Sequence, residues 1–389
     1  MTYAVNPAIH RIEAPPIMEA QSWIRPGLRN RKLLNLCQAV PSWPSAEELD
    51  NEVARLAHQP GISLYTDIFG IPELRVALAD HLSADYRGHV AAENVCITSG
   101  CNQAFAAAIM ATCKAGDNVI VPVPYFFNHT MWLGMLSVEA RYAGAFGEGV
   151  THPRPEDAAK LIDANTRAIV LCSPNNPTGS IYPPEVIDAF FDLAKQHAIV
   201  LVIDETYKDF RAGAAPSHSI FSKPGWEDAF IHLYSFSKVF SMTGYRIGSI
   251  TGSARILGEI EKILDCMIIC PPHISQRAAL FALSSLDQWK KGKIAMMQGR
   301  LEALRKAFGR NGLKYEMVSS GALFAYVKHP FTDETAKQVA MRLAGEHDVL
   351  CLPGSMFGPG QERYLRIAFA NAEASDMETL VDRLIESQG

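Results

Sequence analysis

Lys238 closes the segment Ser235-Phe236-Ser237-Lys238, directly after the apolar run Phe230 to Tyr234. Such a run reads as a buried strand, which puts the lysine at a strand end. Burial lowers an amine's pKa, and a neutral amine condenses with an aldehyde. Arg246 follows eight residues later, in Thr243-Gly244-Tyr245-Arg246-Ile247-Gly248. Upstream, Asp204 ends the run Ile199-Val200-Leu201-Val202-Ile203 and precedes Glu205-Thr206-Tyr207. Open α/β sheets place ligands at the carboxyl ends of their strands, so this carboxylate stands where one would bind. Asn175 and Asn176 lie in Ser173-Pro174-Asn175-Asn176-Pro177-Thr178-Gly179. A lysine, an aspartate, an asparagine, a tyrosine and an arginine on separate strand ends form the set that pyridoxal phosphate chemistry requires. That chemistry needs a Schiff-base lysine and an acid at the pyridinium nitrogen.

Each residue alone has a plainer reading. An isolated lysine is usually an exposed loop residue. Asp204 at a strand-to-helix turn suits a helix N-cap. Asn-Pro-x-Gly is a turn by composition. Their joint order favours a site. A phosphate would need donors, and Thr98-Ser99-Gly100-Cys101-Asn102-Gln103-Ala104 follows a strand and opens an apolar helix. Backbone N–H groups at such a helix start bind anions. Ser235 and Arg246 would add a hydroxyl and a charge-assisted contact. Ser237 either joins them or shapes the turn.

The elements that must position these residues alternate. Strands are expected at Val95–Thr98, Asn118–Val121, Ala168–Cys172, Ile199–Asp204, Phe230–Tyr234 and Ile247–Thr251, with helices such as Gln103–Cys113 and Pro184–Gln196 between them. That alternation implies βαβ units and an α/β fold with a mostly parallel sheet. After about Leu283 the pattern changes. A long amphipathic stretch runs to Phe308. Strands at Tyr315–Val318 and Leu323–Val327, a helix at Asp333–Glu346, a strand at Leu365–Phe369 and a last helix complete an α+β part. Residues 1 to about 35 read as an arm.

With these motifs in this order, the chain resembles the class I/II aminotransferases, pyridoxal-phosphate enzymes of fold type I, from about Leu36 to the C-terminus. The resemblance implies an N-terminal arm and part of a small domain over 1–44, a large cofactor-binding domain over 45–284, and the small domain over 285–389. It implies that Lys238 holds pyridoxal 5'-phosphate and moves the substrate proton, and that Asp204 protonates the pyridine nitrogen. Tyr207 and Asn176 would then donate to the phenolic oxygen, with Asn175 one position away. Gly100, Cys101 and Asn102 match the phosphate turn, although a glycine- or serine-rich version is commoner. Tyr125 resembles the aromatic residue stacked on the ring, with Phe126 and Phe127 competing. Tyr65 resembles a tyrosine that reaches across a homodimer to the neighbour's phosphate. Arg366, with Arg363 as the lesser candidate, resembles the arginine for the substrate's α-carboxylate. Ala39-Val40-Pro41 stands where the family usually has Gly-x-Pro, so Ala39 would touch substrate and Trp43 would wall the pocket. Trp43, Phe126, Phe127, Trp132 and Phe324 point to an apolar or aromatic amino acid, with a 2-oxo acid as the second substrate. The rival chemistry on the same fold is a C–S β-lyase or other lyase. The rival from another class is a non-catalytic sensor.

Composition narrows the alternatives. The chain has 389 residues, 48% of them apolar and 20% charged, enough to bury a large core. A net charge of −5 argues against nucleic acid or an anionic membrane as the main partner. No signal-peptide pattern opens the chain and no apolar stretch reaches membrane-span length. The eight cysteines are scattered, without the ligand pairs of a zinc site, and read as free thiols of a cytoplasmic enzyme with no metal.

Overall fold

The computed structural model describes residues 3–25, 31–144, 146–147, 150–211, 213 and 215–389. The expected N-terminal arm falls in part on residues 1, 2 and 26–30, outside the described residues. After the two-residue strand β1 (Leu34–Asn35), the chain forms β2 (Val95–Thr98), β3 (Asn118–Pro122), β4 (Glu139–Ala143), β5 (Thr166–Cys172), β6 (Val200–Asp204), β7 (Phe230–Ser235) and β8 (Gly248–Thr251). β2 to β8 make one sheet in the order β2-β8-β7-β6-β5-β3-β4. β4, β3, β5, β6 and β7 run parallel, and β8 is antiparallel to both β7 and β2. β4 is the strand that the apolar runs did not reveal. It lies at the sheet edge, and Glu139 to Tyr142 are all partly or fully exposed, so no buried run marks it.

Side chains alternate across this sheet with a period of two. Leu201 and Ile203 of β6 join Phe230 and Tyr234 of β7 on one face; helix Pro184–Gln196 and helix Pro72–Tyr86 cover it. Val202, Ile231 and Leu233 lie on the other face, under helices Cys101–Thr112 and Ala254–Ile268. Burying each such side chain contributes roughly 1.5–3 kcal/mol relative to exposure. At the end of β6 the same alternation sends Asp204 and Glu205 to opposite faces.

The remaining strands are β9 (Glu316–Gly321), β10 (Phe324–Lys328), β11 (Val349–Leu350), β12 (Leu352–Pro353) and β13 (Tyr364–Ile367). Four of them form an antiparallel sheet in the order β12-β13-β10-β9. β1 pairs in parallel with β11, so the N-terminal segment is stitched to the C-terminal part. The long amphipathic stretch expected from about Leu283 to Phe308 is the helix Asp287–Phe308, preceded by helix His273–Ser285. The helix expected from Asp333 starts at Ala336, because Thr335 caps it. The Thr335 hydroxyl accepts from Gln338 N at 3.3 Å, and the Gln338 side chain accepts from Thr335 N at 2.8 Å. The two sheets meet where Gly179, at φ 71°, lies backbone to backbone against Gly321. A Cβ at either position would overlap the other chain segment, so the Asn-Pro-Thr-Gly turn needs glycine here for two reasons. Among the described residues, no helix is long and apolar enough to cross a membrane.

Candidate active site

A cavity of about 440 Å³ opens at the carboxyl ends of β5, β6 and β7, between the two sheets. That volume suits a small ligand. Its charged lining is Asp204, Lys238, Arg246 and Arg366. Three cations against one carboxylate make it a site for anionic groups.

Lys238 enters from the turn after β7. Its Nζ donates to the carbonyl oxygen of Ala39 at 2.7 Å, which brings the Ala39-Val40-Pro41 backbone into the site. Burial drives the amine pKa down to about 8, and the nearby charges of Arg246 and Arg366 push the same way. Asp204 is not its ion-pair partner, because other groups hold that carboxylate. Its Oδ1 accepts from Thr206 N at 3.0 Å, and its Oδ2 lies 3.2 Å from His129 Nε2. Burial alone would raise the Asp204 carboxyl; the His129 and Thr206 contacts outweigh it and hold the pKa below the usual value. The cap-like bond and the cavity position therefore coexist in one residue.

The anion donors gather at one end. Gly100 stands at the N-cap of helix Cys101–Thr112 with φ 85°, and a Cβ there would overlap the Arg246 guanidinium. Cys101 and Asn102 line the cavity. Burial, then the Asp204 charge, pushes the Cys101 thiol well up, so it stays protonated. The Ser235 hydroxyl accepts from Ser237 N at 3.2 Å, and both serines line the cavity. Arg246 has no ion-pair partner among the described residues. At the other end, Arg366 stands on β13 opposite Tyr326 and Leu352. It is 2% exposed, lies over the rings of Phe324 and Phe357, and donates to Asn176 Oδ1 at 3.0 Å and to the Cys37 carbonyl. Its buried Nε has no hydrogen-bond partner, and burial lowers its pKa to about 10. An orphaned guanidinium edge at one end, and a helix start with a free arginine at the other, fit a carboxylate and a phosphate. Pyridoxal phosphate and an amino acid carry those two groups.

The asparagines separate cleanly. Asn176 faces the cavity, whereas Asn175 is spent inside its turn on Thr178 N at 3.2 Å and the Tyr182 hydroxyl at 2.8 Å. Arg363 donates to the His329 carbonyl at 3.1 Å and does not reach the cavity. Tyr207 lines the cavity with its ring edge on Phe324; burial raises its hydroxyl pKa, so it remains a donor.

Several expected residues do not line the cavity. Gly100 stands behind it at the helix N-cap, Trp132 and Phe324 are absent from its wall, and Tyr125, Trp43 and Tyr65 lie elsewhere. Tyr125 stacks instead on Tyr142 of β4, with centroids 5.2 Å apart. Phe126 and Phe127, the competing aromatics, both line the cavity, and Phe126 meets His129 edge-on. Trp43 is buried beneath the Arg300 guanidinium, and its carbonyl accepts from the Ser241 hydroxyl at 2.8 Å. Tyr65 is 76% exposed and outside the cavity. Conversely, His129, Thr206, Gln38 and the stretch Pro15-Pro16-Ile17 belong to the site or support it, and motif reading missed them. Nothing in motif or spacing marks His129, in Asn128-His129-Thr130, or the stretch Pro15 to Ile17.

The depressed lysine pKa gives a pH signature. An amine with a folded pKa of about 8, rather than 10.5, loses its proton as pH rises through 8. The rate at which cofactor-free protein captures pyridoxal phosphate is expected to rise through that pH and then level off. A stopped-flow series across pH checks this; a rate still climbing steeply near pH ~10, as for an ordinary lysine, would contradict it.

Comparisons with known proteins agree with this geometry. The family model described as Aminotransferase class I and II matches residues 31–384. An aromatic aminotransferase of Arabidopsis thaliana is 28% identical over 358 residues, covering 90% of this chain and 88% of that protein. An aspartate aminotransferase of Sulfurisphaera tokodaii is 28% identical over 370 residues, covering 91% and 90%. The solved aspartate aminotransferase of Thermotoga maritima superposes with a TM-score of 0.88 at 26% identity, covering 98% of this chain and 99% of that one. With the family model spanning nearly the whole chain, the protein belongs to the class I and II aminotransferases, pyridoxal-phosphate-dependent enzymes that move an amino group between an amino acid and a 2-oxo acid.

Proposed function

We propose that the amino donor has an apolar or aromatic side chain. The cavity wall carries this reading. Ile17, Phe126, Phe127 and Val40, with Pro15 and Pro16, supply its apolar surface. Each charged lining residue already has a task, and no described lining cation is left for a side-chain carboxylate. The relatives' names span aromatic and aspartate aminotransferases, and the apolar wall supports the former side of that range.

The residue roles follow from placement. Lys238 holds the cofactor covalently, then takes the proton from the substrate's Cα and returns it at C4′. When bound, pyridoxal phosphate supplies the electron sink that makes that proton removable. Asp204, oriented by His129, keeps the pyridine nitrogen protonated. Asn176 and Tyr207 would donate to the phenolic oxygen, and Phe126 would supply an aromatic wall for the ring. Gly100, Cys101 and Asn102 offer backbone N–H groups to the phosphate, with Ser235 and Arg246 beside them. Arg366 presents two parallel donors to the α-carboxylate. The donor leaves as a 2-oxo acid, and a second 2-oxo acid takes up the amino group. No observation favours the lyase chemistry that the motifs also admit. The eight free thiols suit a reducing cytoplasm.

A homodimer with shared sites completes the reading. Leu64, Tyr65, Met267 and Ile269 are exposed apolar residues on two adjoining segments. Thr66 ties the segments together, donating to Cys270 Sγ at 3.3 Å and accepting from Gln276 Nε2 at 2.9 Å. Tyr65 would then reach the partner's phosphate. Sedimentation at assay concentration is expected to show a dimer, with Tyr65→Phe weakening cofactor affinity by ~1.5–3 kcal/mol. A fully active monomer would refute the shared site.

The donor reading is tested by half-reactions. Phenylalanine or leucine is expected to react at least about tenfold more efficiently than aspartate, whose second carboxylate would be buried unpaired. Arg366→Lys should slow phenylalanine far more than phenethylamine, because an ammonium is a point charge and not a fork. Aspartate as the better donor would overturn the substrate class. Equal slowing of acid and amine would show that Arg366 is structural.

A further inference from the structure

Glu205 follows Asp204 in the chain, yet it does not line the cavity and the chemistry above does not use it. It lies on the opposite face of the sheet, 0% exposed. Three hydrogen-bonding groups and a further imidazole converge on its carboxylate. The Tyr86 hydroxyl, at the end of helix Pro72–Tyr86, donates closely to Oε2. The Ser217 hydroxyl donates to Oε1 at 2.6 Å. His232 Nε2, on β7, lies 3.0 Å from Oε2, and His218 Nε2 lies 3.4 Å from it. His218 Nδ1 accepts from Ile220 N at 3.2 Å, and its Nε2 stands within ion-pair distance of Glu205 without a hydrogen bond to it. Tyr86 and His218 are themselves stacked, with centroids 4.5 Å apart.

This is a costly arrangement for a core. The rest of this face is apolar, with Leu201, Ile203, Phe221 and Phe230 around it. A hydrophobic residue would fill the position without desolvating a charge. Burial indeed raises the Glu205 carboxyl, but the His218 and His232 contacts bring it well below the ordinary value. The surrounding turn is charged too: Lys208 pairs with Asp85 at 2.5 Å and lies 3.6 Å from Asp209. The backbone of Glu205 is fixed on both sides, its N–H donating to Leu233 O at 2.9 Å and its carbonyl accepting from Lys208 N at 3.0 Å. The residues on either side, Asp204 and then Thr206 and Tyr207, line the cavity.

We propose that Glu205 is a positioning residue for the reaction: its ionised side chain, clasped by Tyr86, Ser217, His218 and His232, locks the Asp204–Tyr207 turn and adds a negative charge behind Asp204. That charge favours the proton on the cofactor nitrogen that Asp204 faces. Neither effect requires contact with substrate.

The test uses the cofactor-loaded enzyme. Glu205→Gln keeps the shape and removes the charge. It is expected to bind cofactor stoichiometrically and to lose about ten- to a hundredfold in kcat with phenylalanine, with KM changed by less than about threefold. The pH midpoint of the bound cofactor's absorbance band should move by at least about half a pH unit, in a titration that needs no donor at all. Glu205→Asp should recover part of both properties. Glu259→Gln, an exposed carboxylate on helix Ala254–Ile268, should change neither. If Glu205→Gln is insoluble, Tyr86→Phe and Ser217→Ala each remove one donor and should lower kcat about two- to fivefold, with the band shifted in the same direction. Wild-type kcat and band midpoint in Glu205→Gln, or in both donor variants, would make Glu205 a structural residue only and overturn the proposal. Inactivity of the wild type towards phenylalanine, with the band shift intact, would instead count against the donor reading.

Discussion

A lysine with no carboxylate partner among the described residues, buried beside two arginines, constrains everything around it. Such an amine sheds its proton readily, which is the property the cofactor linkage needs. Keeping it so requires that the nearest carboxylate be occupied. Asp204 is occupied: Thr206 N takes one oxygen and His129 the other. If Asp204 turned towards Lys238, the ion pair would raise the lysine pKa and withdraw the acid from the cofactor. The position of His129, packed on Phe105 with centroids 4.2 Å apart, is therefore as consequential as the lysine itself.

The sheet supplies the geometry. Parallel strands β5, β6 and β7 end together, so Cys172, Asp204 and Ser235 arrive at one rim. The period of two then splits the sequence Asp204-Glu205 across the sheet, one carboxylate to the cavity and one to a buried cluster. The second sheet brings Arg366 to the opposite wall, pinned to Asn176 and to the Cys37 carbonyl. One asparagine thus lines the cavity and holds Arg366 as well. Movement of either sheet would be felt at both.

Much of this was legible in sequence, for a physical reason. Residues placed by strand ends are marked by the apolar runs before them, as with Asp204, Ser235, Lys238 and the Gly100 turn. Gly100 and Gly179 were also readable, because left-handed backbone in a tight approach leaves few alternatives. What failed lacked such a marker. Tyr125, Phe126 and Phe127 are three aromatics in a row, and only the tertiary structure shows that Phe126 and Phe127, not Tyr125, meet the cavity. Trp43 reads as a pocket wall until Arg300, 257 positions downstream, is seen to cover it. Pro15 to Ile17 reach the site through long-range packing alone. Tyr65 is exposed and outside its own chain's cavity, so the role proposed for it depends on a second copy. Glu205 looked like part of a motif next to Asp204, and only the tertiary convergence of Tyr86, Ser217, His218 and His232 shows that it is a centre of its own.

The account rests on one amine. Borohydride reduction of the cofactor-loaded enzyme, followed by proteolysis and mass spectrometry, locates that amine directly. The predicted result is a single reduced cofactor adduct on the peptide containing Lys238. An adduct on any other lysine, or cofactor that washes away unreduced, would contradict the account.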